Sequence, residues 1–167
     1  LRCLSVVRPV PGRMETFPGN TGSKVIVDYA HTPDALEQVL TELRGQCRGK
    51  LICVFGCGGD RDRAKRPVMG AVAERYADSI ILTNDNPRSE SPERIIADIV
   101  AGLSRRASVH IAPERAAAIA MAVRSAAAGD IVLVAGKGHE TWQEVNGVRS
   151  PFSDQACVRK LLGEQHD

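Results

Sequence analysis

Five consecutive apolar residues at positions 131–135 (IVLVA) constrain this chain more than any other feature. A strand with one wet face alternates apolar and polar residues. A strand apolar on both sides needs cover above and below, which suits the centre of a parallel sheet. Four more short apolar runs accompany it, at residues 24–29, 51–55, 79–83 and 109–111. Helical patterns separate them. Thr32 can cap a helix opened by Pro33, with Leu36, Val39, Leu40 and Leu43 on one face and Gly45 as its stop. Residues 67–76 read as a second helix, with Val68, Ala71, Val72 and Tyr76 inward. Ser91 and Pro92 open a third, carrying Ile95, Ile96, Ile99, Val100 and Leu103. Pro113 opens an alanine-rich fourth that ends near Gly129. Strands alternating with helices predict an α/β fold, a doubly wound and mostly parallel sheet.

The pattern changes after residue 140. Asn146-Gly147 between residues 141–145 and 148–152 is a strong hairpin signal. Ser153 then caps a last helix with Val158, Leu161 and Leu162 inward and Gly163 behind it. Residues 1–22 are rich in Pro and Gly and read as a lead-in from a preceding domain, with one short strand. The start at Leu1 reads as one domain, residues 1–167, cut from a longer protein.

Composition excludes several classes. A net charge of +2 and 4% aromatic residues offer neither a basic stripe nor a stacking platform for nucleic acid. No apolar run approaches the ~20 residues of a membrane span, and no secretory signal is visible. Five cysteines at irregular spacings fit a reducing cytoplasm better than a disulfide framework. Cys53 and Cys57 have no second Cys/His pair, so buried thiols are expected rather than zinc. His110 and His166 read as surface residues. Neither a phosphate-binding G-x-x-x-x-G-K-[ST] nor a dinucleotide G-x-G-x-x-G is present.

Ligands of open parallel sheets bind outside the carboxyl ends of the strands. Four of the five expected strands run into residues that a plain connection does not need: Asp28 to Pro33, Gly56 to Asp62, Asp85 to Arg88, and Gly136 to Glu140. Arg61 and Arg88 suit a carboxylate or phosphate, and Asp85 and Glu140 suit an ammonium. Together they describe a pocket for a small zwitterion. For any one loop, solvated ion pairs among these same residues are the simpler reading; the convergence of four loops on one edge favours the pocket. His31 and His139 lie in these loops as ligand contacts or as hydrogen-bonded structural residues.

The segments PGRME from Pro11, VDYAHTPDALE, FGCGGDRD with KRPVMG, DNPRSE, and VAGKGHE resemble the Mur ligases of peptidoglycan synthesis, and within them the members that add meso-diaminopimelate to a UDP-muramoyl dipeptide. The resemblance runs from about Gly12 to the C-terminus. It implies a Rossmann-like third domain that brings the amino acid and closes over ATP. The ATP phosphate loop and the Mg2+ ligands are expected on a central domain. It implies diaminopimelate contacts from Arg61, Asp85, Asn86, Pro87, Arg88, Gly136 and Glu140, and ATP contacts from Arg13, Asp28 and His31. Trp142 and Phe152 follow the family less clearly and receive no role.

The same resemblance implies a cytoplasmic, monomeric enzyme with ATP, UDP-MurNAc-dipeptide and meso-diaminopimelate as partners. ATP phosphorylates the D-glutamate carboxylate, and the amine of diaminopimelate displaces the phosphate to form an amide. The 167-residue chain alone is expected to be inactive. The rival readings are a lysine-adding Mur ligase, a folylpolyglutamate synthase, a non-catalytic small-ligand-binding module, and a pure interaction domain. An intact Asp85-Asn86-Pro87-Arg88 argues against the first two, because Arg88 left without a carboxylate penalises lysine.

Overall fold

The structure is a computed structural model that describes residues 10–104 and 109–163; Cys3 and His166 lie outside them. The chain runs β1 (Glu15–Pro18), β2 (Lys24–Asp28), α1 (Pro33–Gln46), β3 (Leu51–Phe55), α2 (Lys65–Tyr76), β4 (Ser79–Leu82), α3 (Pro92–Val100), β5 (Val109–Ile111), α4 (Arg115–Ser125), β6 (Ile131–Ala135), β7 (Trp142–Val145), β8 (Val148–Pro151) and α5 (Asp154–Leu162). A six-stranded sheet has the order β1-β2-β6-β3-β4-β5, and β7 and β8 form a separate pair. Strands β2 to β6 are parallel; β1 adds antiparallel to β2 at the edge. The apolar run of β6 sits between β2 and β3, inside the sheet, and its lack of alternation fits burial on both faces.

Successive β6 residues feed opposite layers. Ile131, Leu133 and Ala135 pack with Leu36, Leu40 and Leu43 of α1, Met69 of α2 and the isoleucines of α3. Val132 and Val134 pack with Ala118, Ile119 and Ala122 of α4 and with Val158 and Leu162 of α5. The period-two projection of a strand thereby builds two cores from one sequence. Helix starts follow capping chemistry: Thr32, Ser91 and Ser153 each accept a backbone N–H three residues on. Gly163 ends α5 in the left-handed region at φ 77°.

Three expectations need correction. Gly45 does not stop α1, which continues to Gln46. The alanine-rich helix is capped not by Pro113 but by Glu114, whose carboxylate accepts from Ala116 and Ala117 N–H. Helix α2 buries Arg66, Met69, Gly70 and Ala73, whereas Val68 and Ala71 face solvent and Val72 and Tyr76 are half-buried. The cause is tertiary. Arg66 is compensated by Glu90 at 2.9 Å and Asp98 at 2.8 Å. At Gly70 a β-carbon would stand 2.4 Å from the Ile99 carbonyl oxygen, so the missing side chain lets α3 approach. No described helix is long and apolar enough to cross a membrane.

Candidate functional site

The carboxyl ends of β2, β3, β4 and β6 open onto one cleft of about 790 Å³. Of the residues singled out from sequence, His31, Arg61, Asp85, Asn86, Arg88, Gly136 and Glu140 line it. Three do not. Pro87 is buried beneath, its carbonyl pressed close to Gly59. Asp28 turns away: its carboxylate accepts the N–H of Met14 and of Ala30, each at 2.8 Å. Arg13 lies outside the cleft, with its guanidinium 5.2 Å from the centre of the Tyr29 ring. That ring also lies 4.5 Å from His31 and 5.3 Å from His139. His31 Nδ1 meets the Tyr29 carbonyl at 2.8 Å. A carbonyl only accepts, so Nδ1 carries the hydrogen and Nε2 is the free ring nitrogen. Asp28 therefore holds together the segments that carry Arg13 and His31.

The loops after β3 and β4 are tied to each other. Gly59 N–H donates to the Asn86 carbonyl at 2.9 Å, and the Asp60 carboxylate accepts from the Ser89 hydroxyl at 2.7 Å and N–H at 3.1 Å. Glu90 accepts from Asp60 N–H at 2.7 Å, from Arg66, and from Arg63 at 2.9 Å. The Arg66 hydrogen bonds are the main reason that its carboxyl is held down at about 2. Arg66 Nε has no partner among the described residues.

Ion pairs do form among these loops, but not between the groups that matter for the cleft. Arg88 spends Nη1 on the Gly59 carbonyl at 2.8 Å, and Arg61 has no carboxylate partner among the described residues. Asp85 is buried, and its side chain accepts no hydrogen bond there. Desolvation raises its pKa, opposed by the charges of Arg115 and Lys137 and assisted by those of Glu140 and Asp154. Gly136 follows at φ 115°, and a β-carbon there would stand 2.7 Å from Asp85 Oδ2. Only a glycine lets β6 turn past that carboxylate.

The β7–β8 hairpin forms a further wall, and sequence reasoning missed it. Its Trp142, Glu144 and Arg149 line the cleft, as do Tyr29 and Lys65. Arg88, in the left-handed region at φ 53°, is clamped to it: Arg88 N–H donates to the Glu144 carbonyl at 3.1 Å, and Asn146 N–H donates to the Arg88 carbonyl at 2.6 Å. Gln143 Nε2 donates to the Asp85 carbonyl at 2.7 Å. Arg149 stacks 4.1 Å from the Trp142 ring centre. The turn at Asn146-Gly147 was legible; its docking on residues 85–88 left no local signal.

Under the cleft, Arg115 and Asp154 form a bidentate pair, both bonds 2.7 Å, with neither side chain exposed. Arg115 also donates to the carbonyls of Asn84 at 3.3 Å, two residues past β4, and of Ala135 at 3.0 Å, the end of β6. Among the described residues the cleft thus has an acid without a hydrogen-bond donor at Asp85 and cations without an ion pair at Arg61 and Arg88. That charge pattern fits a ligand carrying both an ammonium and a carboxylate. Among the described residues no group of three His, Cys, Asp or Glu is placed to hold a metal.

The Mur ligase family, described as the glutamate ligase domain, matches residues 12–138. UDP-N-acetylmuramoyl-L-alanyl-D-glutamate--2,6-diaminopimelate ligase of Coxiella burnetii is 58% identical over 159 residues, 95% of this chain and 32% of that protein. The ligase of the same name from Xylella fastidiosa (strain Temecula1 / ATCC 700964) is 54% identical over 160 residues, with the same coverages of 95% and 32%. The chain spans about a third of the length of these curated relatives. A solved structure of a ligase of that name superposes with a TM-score of 0.87 at 48% identity, over 95% of this chain and 32% of the other. A bifunctional folylpolyglutamate synthase/dihydrofolate synthase with Mn, AMPPNP and L-glutamate bound shares the fold: TM-score 0.60, 23% identity, 76% of this chain and 29% of that one.

Proposed function

Since the chain belongs to the Mur ligase family, as its glutamate ligase domain, we propose that it is the amino-acid-binding part of an ATP-dependent ligase that adds meso-diaminopimelate to UDP-MurNAc-L-Ala-D-Glu. The observation that carries the reading is the charge pattern of one cleft, lined by a buried Asp85 without a hydrogen-bond donor among the described residues and by Arg61 and Arg88. Diaminopimelate has an ammonium and a carboxylate at the end remote from its reacting amine. Asp85 and Glu140 receive that ammonium, and Arg88 with Arg61 receives the carboxylate. Lysine lacks the carboxylate and would leave Arg88 without its counter-charge. The relatives named above, called 2,6-diaminopimelate ligases, support the same substrate.

ATP phosphorylates the D-glutamate carboxylate, releasing ADP. The uncharged amine of diaminopimelate then attacks the acyl carbon, the amide C–N bond forms, the C–O bond to phosphate breaks, and the amine proton leaves to solvent. This chain contributes position: it holds the far end of the amino acid so that the amine meets the acyl phosphate. Arg13, outside the cleft, and His31, lining it, both neighbour the Tyr29 ring and take the nucleotide side, with Asp28 holding both segments. Among the described residues no group of three His, Cys, Asp or Glu is placed to hold magnesium, so no step is assigned to a metal on this chain. The reaction belongs to the cytoplasm, where ATP and the nucleotide-linked dipeptide are made.

Amide formation by the full-length ligase containing this chain, measured with diaminopimelate and with L-lysine, tests the reading. The wild type should prefer diaminopimelate by about a hundredfold or more in kcat/KM, and Arg88→Ala should lose most of that preference. Equal use of both amino acids by the wild type would overturn it.

A further inference from the structure

One fully buried cation, next in sequence to cleft residue Gly136, has no assigned role so far. Lys137 lies between Gly136 at φ 115° and Gly138 at φ 53°, and this backbone path sends its side chain inward, where none of it is exposed. Its ammonium donates to Glu140 Oε2 at 2.8 Å and to Asn86 Oδ1 at 3.0 Å, and sits 5.4 Å from the centre of the Trp142 ring. An ammonium taken out of water needs hydrogen-bonded counter-charge, and these contacts supply it.

The contacts also fix two neighbours. Lysine only donates, so the Asn86 atom it meets is the amide oxygen. Glu144 N–H donates to that same oxygen at 3.0 Å. The amide nitrogen is thereby turned to Glu140 Oε2, at 3.0 Å. Glu140 Oε2 is occupied by two donors from within the protein, while Oε1 accepts from none of the described residues. One cation thus sets the amide orientation of Asn86, the rotamer of Glu140, and which carboxylate oxygen stays open.

We propose that Lys137 is a positioning residue of the amino-acid site: it locks Asn86 and Glu140 so that Glu140 offers its free oxygen, beside Asp85, to the ammonium of the incoming amino acid. The inference rests on the reading of this cleft as the amino-acid site. Lys137 itself touches no substrate. Its charge also opposes the effect of the Glu140 charge on the buried Asp85 carboxyl.

The test uses the full-length ligase with Lys137→Met, Lys137→Gln and Lys137→Arg, each first shown to be folded by its melting transition. KM is then measured separately for the amino acid, ATP and the UDP-linked dipeptide. Lys137→Met and Lys137→Gln should raise KM for the amino acid about ten- to hundredfold, the effect of losing a charge-assisted hydrogen bond. KM for ATP and for the dipeptide should stay within about twofold, because their contacts lie elsewhere. Lys137→Arg should recover part of the loss. A folded Lys137→Gln enzyme with unchanged amino-acid KM would overturn the proposal, and so would three KM values rising together, which marks general damage. If the wild type ignores diaminopimelate but turns over with another amino acid, the substrate reading fails by itself, and the Lys137 comparison is made with that amino acid.

Discussion

Asp154→Asn should be among the most damaging single-atom changes in this protein. The wild-type carboxylate takes two hydrogen bonds of 2.7 Å from Arg115, and neither side chain reaches solvent. Asparagine keeps the shape, removes the charge, and sets an amide N–H against a guanidinium N–H. Arg115 retains its bonds to the Asn84 and Ala135 carbonyls, but its charge loses the one group that neutralises it directly. Removing one member of a buried pair costs about 3–5 kcal/mol. For a chain of this size that is a fall in melting temperature of about 6–20 °C. The double variant Arg115→Met/Asp154→Leu removes both charges. It takes one donor each from the Asn84 and Ala135 carbonyls, of which Asn84 keeps Gln143 Nε2 at 3.5 Å, for a loss of about 1–3 kcal/mol. Urea denaturation of wild type, single and double variants, at constant m, measures both quantities. A single variant within about 1 kcal/mol of wild type, or a double variant no better than the single, would refute the claim that the pair is compensated internally.

Two further outcomes follow from titrating groups. Burial pushes the thiols of Cys53 and Cys57 up to about 12; at pH 8 iodoacetamide should modify the half-buried Cys47 of the native chain and spare both, and mass spectrometry showing Cys57 alkylated at the rate of a free thiol would contradict that. Glu90, held down at about 2 from an ordinary 4.5 by Arg66, adds stability that is fully present above about pH 4.5 and is lost as pH falls towards 2. Glu90→Gln should therefore lose less stability than wild type between pH 4.5 and 2 in urea midpoints, and an identical acid dependence would show that another group carries it.

Much of the fold was legible because strand period, cap residues and turn chemistry are local. The unalternating run at 131–135, the caps at Thr32, Ser91 and Ser153, and Asn146-Gly147 each announced their element. The position of β6 between β2 and β3 was not legible, since period two says which face a side chain takes and nothing of strand order. The face of α2 was misread for a related reason. An apolar count favours Val68 over Arg66, and only Glu90 and Asp98, distant in sequence, make Arg66 the buried residue. The cleft was legible as four loops because the carboxyl ends of parallel strands share one edge. Its hairpin wall was not, because Arg88 and Asn86 meet backbone groups of Glu144 and Asn146, and Gln143 of the hairpin meets the Asp85 carbonyl, contacts that leave no pattern. Asp28 marks the same limit: an acidic residue at a strand end signals a ligand or a backbone clamp equally well, and here both oxygens hold N–H groups.

The arrangement of charges explains why the cleft needs so many ions that never meet a ligand. A site for a zwitterion fails if its own acids and bases neutralise one another first. Here every cation near Asp85 is already committed. Arg115 is spent on Asp154, Lys137 on Glu140 and Asn86, and Arg88 on the Gly59 carbonyl, a neutral partner that aims the guanidinium without discharging it. Asp85 remains buried without a hydrogen-bond donor among the described residues, and Arg61 and Arg88 remain without an acid. Backbone glycines and the clamped, left-handed Arg88 fix the paths of the loops that carry these groups. Preorganised, uncompensated groups bind charge without first having to break contacts of their own. On the proposed reading, Arg115, Lys137 and the Gly59 carbonyl would shape recognition together with the residues that face the amino acid.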